Sequence, residues 1–163
     1  TFFLSPLVLP TIIYAIGMLM LWSALFGPVS LVTLWISHTV ITIPYVVRTT
    51  LAVLSESDPF LEEAAQTMGA NRLQRLWLVV VPQCRPGLIA GAFFAFNISF
   101  DEAVLALFLR TPGLTTLPVQ IYGQLEFSPD PSVAAVSTIM IGITIALILI
   151  IDRMLGVQKF ASS

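Results

Sequence analysis

The stretch Glu62–Pro82, EEAAQTMGANRLQRLWLVVVP, is the most polar and most basic part of an otherwise strongly apolar chain. Asp58 and Pro59 precede it as a helix N-cap and a first helical residue. Glu62 and Glu63 fall near the positive end of that helix, where carboxylates are favoured, and Ala64 and Ala65 add helix propensity with almost no bulk. Gly69 then permits a left-handed backbone or a close approach that a side chain would block. A second amphipathic helix is expected over NRLQRLWLVVV, with Leu73, Leu76 and Trp77 on one face, ended by Pro82. The pattern is helix, glycine bend, helix, and the small residues at the bend leave room for a partner surface.

Outward from this stretch the chain is hydrophobic on both sides. Of 163 residues, 57% are hydrophobic and 10% charged, against about 25% charged in an ordinary soluble domain; the mean hydropathy is +0.96. The composition is that of an all-α, multi-span membrane protein. A membrane helix needs about 20 mostly apolar residues, and four segments approach this: roughly Leu4–Phe26, Val29–Leu54, Pro86–Leu109 and Val133–Ile151. Phe26-Gly27-Pro28 is a turn signal that folds the first two into a hairpin. Between the third and fourth lies the loop 110–132, which holds four of the eleven prolines; within it LPVQIYGQLEF suggests a short interfacial or re-entrant helix with Tyr122 and Phe127 at headgroup depth.

The positive charges orient the spans. Arg48, Arg72, Arg75 and Arg85 surround the polar segment 56–82, and Arg153 and Lys159 follow the fourth span; Arg110 alone falls on the other side. By the positive-inside rule, segment 56–82 and the C-terminus are expected in the cytoplasm and the loop 110–132 outside.

Several function classes are disfavoured. Seven basic residues against nine acidic ones are too few for a phosphate-tracking surface, so no nucleic-acid partner is expected. Cys84 and His38 are each the single residue of their type, so no disulfide, cysteine metal cluster or cysteine–histidine metal site is expected. No glycine-flanked serine and no pair of deep aspartates suggests an intramembrane hydrolase, and the phosphate-binding pattern G-x-x-x-x-G-K-[ST] is missing, so ATP is not expected to bind this chain by that loop.

Polar residues inside the third span raise a separate question. Asn97, Asp101 and Glu102 stand in FNISFDEAVLALFL, where a carboxylate near a helix centre costs about 2.5–3.5 kcal/mol on insertion scales. Asp101 lies roughly 22 Å along the helix from Pro86, and Asn97 and Asp101, four apart, share a face. One reading has Asp101, with Glu102 and Asn97, facing a translocation path and attracting a cation, with Phe96, Phe100 and Trp35 as aromatic partners by type. The other has a helix break whose carboxylates bond backbone amides or Arg110. His38 is read as a hydrogen-bonding residue to a neighbouring helix or a path residue, and Arg48 as a snorkelling or capping group.

The polar segment resembles the cytoplasmic signature of permease subunits of ATP-binding-cassette importers. That signature, E-A-A, three residues, G, nine residues, I, one residue, L-P, is met by Glu63-Ala64-Ala65, Gly69, Val79, Val81 and Pro82, with valine for isoleucine and for leucine. LAVLSESDPFLEEAAQTMGAN and SFDEAVLALFLRTPGLTTLPVQIYGQLEFSPDPSVAAVSTIMI are similar to the spermidine/putrescine branch, and the resemblance covers essentially the whole chain. It implies a type I permease fold with a coupling helix that docks on a cytoplasmic ATPase dimer, Glu63, Ala64, Ala65, Gly69, Ala70 and Pro82 carrying the contact. It further implies a second homologous permease subunit, an external solute-binding protein and a bacterial inner-membrane location amid lipid. ATP would be used by the partner, with no cofactor on this chain. Such permeases have about six spans, so the chain is expected to begin at the third, the first two being absent. Opine, amino-phosphonate and iron importers have similar permeases, and an ion-coupled carrier also uses intramembrane carboxylates and broken helices; such a carrier has no need of the E-A-A…G…P segment.

Overall fold

The computed structural model describes residues 9–113, 115–127 and 130–155, and among these every regular element is helical. The helices are α1 (Thr11–Leu25), α2 (Leu31–Glu56), α3 (Phe60–Thr67), α4 (Arg72–Asp101), α5 (Val104–Phe108), α6 (Leu117–Phe127) and α7 (Ser132–Leu155). Of these, α2, α4 and α7 are long and apolar enough to cross a membrane; α1 is a shorter apolar helix of 15 residues. The first part of the expected span Leu4–Phe26 lies outside the described residues. Gly27, at φ 91°, turns α1 into α2 as the Phe-Gly-Pro signal requires.

The fold is organised around the α2–α4 pair. Gly87 and Gly91, four apart on α4, bring that helix onto the α2 backbone. A Cβ at Gly87 would lie 2.8 Å from the Thr49 carbonyl oxygen and 2.9 Å from Thr50 Cα. A Cβ at Gly91 would lie 2.6 Å from Thr49 Oγ1 and 2.7 Å from Val46 Cα. Small residues at this spacing let two backbones approach, and in lipid that close packing drives helix association in place of the hydrophobic effect. Cys84, a turn before Gly87, is buried too, so a thiol reagent is not expected to label it readily from either side.

Most α2 hydroxyls with a partner bond carbonyls of their own helix, as an apolar surround favours, while Thr50 Oγ1 is buried without one. Ser37 donates to the Thr33 carbonyl at 2.8 Å, Thr39 to Trp35 at 2.8 Å, Thr42 to His38 at 2.9 Å and Thr49 to Tyr45 at 2.9 Å. A small core forms where α1, α2, α5 and α6 converge, from Ala15, Leu34, Leu105, Ala106, Leu109 and Val119. By contrast, none of the most apolar window of α7 is buried within the chain. A helix apolar on all sides is a surface for lipid or another subunit.

Two expectations need correction. Pro82 does not end the second amphipathic helix: α4 runs unbroken from Arg72 for 30 residues. The turn Leu76–Val80 is a π-helix, and Val81 N–H donates to the Leu76 carbonyl. The wider turn gives the Pro82 ring room against the preceding carbonyls, where an α-turn would clash. The expected span Pro86–Leu109 is likewise not one helix. It stops at Asp101, Glu102 is extended with ψ 103°, and α5 starts afresh at Val104.

Candidate coupling and translocation sites

The polar segment closes α3 with a complete Schellman turn. Gly69, at φ 88°, donates its N–H to the Gln66 carbonyl at 3.0 Å, and Ala70 N–H donates to Ala65 at 3.0 Å. Those two bonds satisfy carbonyls that the helix end orphans, and the left-handed residue between them favours glycine. Ala65, Gly69 and Ala70 are thus tied into one backbone motif. At the start of α3 the Phe60 N–H donates to Asp58 Oδ1 at 2.9 Å, which makes Asp58 the cap expected from the sequence.

Past the bend, Asn71 opens α4 with a capping box. Gln74 N–H donates to Asn71 Oδ1 and Asn71 N–H to Gln74 Oε1, each at 2.9 Å. Glu62 Oε1 and Arg75 Nε form an ion pair at 3.3 Å that ties α3 to the first turn of α4. Glu63 and Ala64 are exposed on α3, Ala65 is half-buried, and Pro82 sits half-buried inside α4. Phe60, Leu61, Met68, Leu73, Trp77 and Leu78 are exposed around the bend, and a Cβ on Gly69 would meet nothing within 4 Å. The bend is therefore an open, small-residue surface ringed by apolar side chains.

At the far end of α4 the polar residues divide. Asn97 and Asp101 line one cavity of about 310 Å³ between α4 and α7, with Phe100, Met140, Ile141 and Thr144. A second cavity of about 330 Å³ shares Asp101, Met140 and Ile141 and extends to Tyr122 and Leu125 on α6. Asp101 is exposed, and no hydrogen bond or ion pair engages its side chain among the described residues. Phe96 and Phe100 stack beside it, centroids 5.3 Å apart and planes at 17°. Trp35 is 66% exposed on α2 and lines neither of these cavities.

Glu102 points elsewhere. It accepts the Leu105 N–H at 2.9 Å and so caps α5. It also lines a third, smaller cavity of about 120 Å³ with Thr11, Tyr14, Ile41, Tyr45 and Ile98, on the α1–α2 side. The two carboxylates therefore do not share one face. Glu102 is bonded to a backbone amide at a helix break, and Asp101 is open to a cleft. His38 Nδ1 lies 2.8 Å from Ser99 Oγ, a bond between α2 and α4.

Sequence reasoning missed Gly87 and Gly91, although Gly-x-x-x-Gly in an apolar helix is the signal that finds such a contact. It also missed Tyr14 and Tyr45, which only the fold brings to Glu102.

A bundle of apolar helices, three of them long enough to cross a membrane, with a capped, charged bend between two of these, is the architecture of a membrane protein. The chain belongs to the family of binding-protein-dependent transport system inner membrane components, which it matches over residues 1–159. It is 31% identical over 144 residues to the putrescine transport system permease protein PotI of Escherichia coli K12, covering 85% of this chain and 51% of that protein. With the spermidine/putrescine permease PotC of the same organism it is 29% identical over 140 residues, covering 86% and 53%. With the sulfate permease CysT of Salmonella typhimurium LT2 it is 35% identical over 118 residues, covering 69% and 42%. The chain spans about half the length of the polyamine permeases it matches.

Proposed function

We propose that this chain is the membrane-spanning part of an ATP-driven importer that moves polyamines, cations of the putrescine and spermidine class, by alternating access. The observation that carries the substrate class is Asp101: an exposed carboxylate without a partner among the described residues, in a cleft beside a stacked pair of phenylalanines. A diamine or triamine brings ammonium groups that such a carboxylate and the aromatic faces favour. The polyamine permeases among the relatives support that assignment. The likeness to a sulfate permease shows why it cannot rest on the framework alone: one architecture serves anions and cations, so the charge in the cleft has to choose between them.

The bend at Ala65–Ala70 is the proposed docking point for a cytoplasmic ATPase dimer. Its open surface and exposed apolar rim suit insertion into a partner's groove. A second permease subunit would cover α7, and an external binding protein would deliver the substrate near α6, in the orientation that the arginine distribution favours. ATP binding and hydrolysis in the partner would then favour alternative packings of the spans.

The test is uptake of labelled putrescine and spermidine by cells expressing the complete operon, with the natural chain and with Asp101→Asn at matched membrane levels. Uptake by the natural chain that falls at least about tenfold in the variant supports the substrate class and the carboxylate's place in the path. Uptake of sulfate in place of either amine overturns the polyamine assignment.

A further inference from the structure

His38 and Ser99 make a tie that helix packing does not require. Their bond at 2.8 Å is the one side-chain to side-chain polar contact between two of the long helices among the described residues. The α2 hydroxyls at Ser37, Thr39, Thr42 and Thr49 all turn back onto their own helix. Ser99 instead reaches across to the ring, and His38 Nε2 is left buried with no partner.

The location of the tie gives it a task. Gly87 and Gly91 set how closely α4 approaches α2, but a glycine has no side chain with which to fix the rotation of the helix further along. Ser99 stands eight residues beyond Gly91, about 12 Å along the axis. It is in the last turn of α4, two residues before Asp101 and three before Glu102. Ile98, its neighbour, and Ile41, one turn on from His38, both line the small cavity that Glu102 enters. Two residues past the tie the helix must deliver Asp101 to the α7 cleft, and then Glu102 to the amide of Leu105.

We propose that His38 is a positioning residue. Acting through Ser99, it holds the last turn of α4 in the rotation that separates the two carboxylates, sending Asp101 toward α7 and Glu102 toward α1 and α2. The proposal draws on the transport reading for only one of its two readouts.

The first readout is structural and needs no substrate. Ala106 is 2% exposed and packs in the core from α5, the helix that Glu102 caps. Ala106→Cys, in a Cys84→Ala background, reports whether that core stays closed in native membranes. Ser99→Ala and His38→Ala are expected to raise its thiol-labelling rate about tenfold. His38→Asn, whose amide sits where Nδ1 does, is expected to keep the slow rate, whereas His38→Gln, which places its amide near Nε2, is not. The double variant His38→Ala/Ser99→Ala is expected to match either single variant, because both remove one interaction. The second readout is uptake, where the variants that open the core are expected to raise KM for the amine and His38→Asn to leave it near the natural value.

Labelling rates unchanged in Ser99→Ala, which alters little else, would overturn the proposal. So would His38→Asn behaving like His38→Ala, because the ring's bulk rather than its Nδ1 bond would then be what matters. A natural chain that takes up no polyamine defeats the transport reading, and the labelling series still decides the role of His38.

Discussion

At single positions, the contrast between Asp101 and Glu102 shows how little adjacency means at a helix end. Two carboxylates next to each other in sequence, the last residue of α4 and the extended residue after it, face different cavities, one open to a cleft and one engaged with a backbone amide. Their substitutions should therefore separate. Glu102→Gln keeps an oxygen for the Leu105 N–H and is expected to leave stability nearly unchanged. Glu102→Ala removes the cap and is expected to cost about 1 kcal/mol, read as a lower midpoint in thermal unfolding of the purified protein. Gly69 allows a similar separation. Its positive φ makes Gly69→Ala strained by about 1 kcal/mol, whereas Gly69→Asn adopts the left-handed conformation more readily. Gly69→Trp is expected to insert into the membrane normally and to lose co-purification with the proposed ATPase partner; co-purification at the natural level would remove the docking role. The conformation of Gly69 was legible from the sequence because a glycine after a short capped helix has one common use. The division of the carboxylates was not, because it depends on where the helix stops, and VLALFL after Glu102 continues the apolar pattern without a glycine or proline to mark the break.

Among the elements, α4 departs most from its sequence signals. A proline at position 82 is a sound terminator in an α-helix, and the widened turn before it is invisible to periodicity. The hairpin at Phe26–Pro28 and the capped start of α3 were legible because local chemistry sets them; the glycine seam depends on which helix α4 meets. Gly91→Leu must drive α4 away from Val46 and Thr49 on α2, an overpacking that is expected to cost about 1–3 kcal/mol. The buried Cys84 thiol reports it: slow labelling in the natural chain should become fast in Gly91→Leu. The Glu62–Arg75 pair, with a half-exposed glutamate, is expected to contribute no more than about 1 kcal/mol, so Glu62→Gln should scarcely move the melting temperature. At the start of α7, Asp130 Oδ1 accepts the Ser132 N–H at 2.7 Å, and bonds to the Ser132 amide and hydroxyl hold its carboxyl below the usual aspartate range. A depressed value means the cap is intact above the ordinary carboxylate range and is lost as pH falls through the lowered one. Hydrogen exchange at Ser132 and Val133 measured down that range, corrected for the intrinsic rate, should show protection falling there and not at neutral pH.

For the molecule as a whole, the composition settled the class, because a chain this apolar and this poor in charge has a lipid solvent. What the composition hid is how little of that apolar surface the chain buries against itself. Among the described residues the core cluster is six residues where four helices meet, while Ile139, Ile141, Ile145, Ile148 and Leu149 on α7 remain exposed. Purified alone in mild detergent, the chain is expected to self-associate, and co-expression with the proposed second permease subunit should give a discrete complex by size-exclusion chromatography with light scattering. A discrete monomer would show that lipid or detergent suffices to cover α7.

The unbroken course of α4 has a mechanical consequence. The helix is a stiff rod about 45 Å long, held near its middle where Gly87 and Gly91 touch α2. That contact is a fulcrum. A tilt of about 5° around it displaces the Arg72 end by about 2 Å one way and the Asp101 end by somewhat more than 1 Å the other. The π-turn at Leu76–Val80, on the Arg72 side of the fulcrum, is the more compliant part of the rod. A push at the bend thus arrives at the carboxylate reversed in direction and reduced in size.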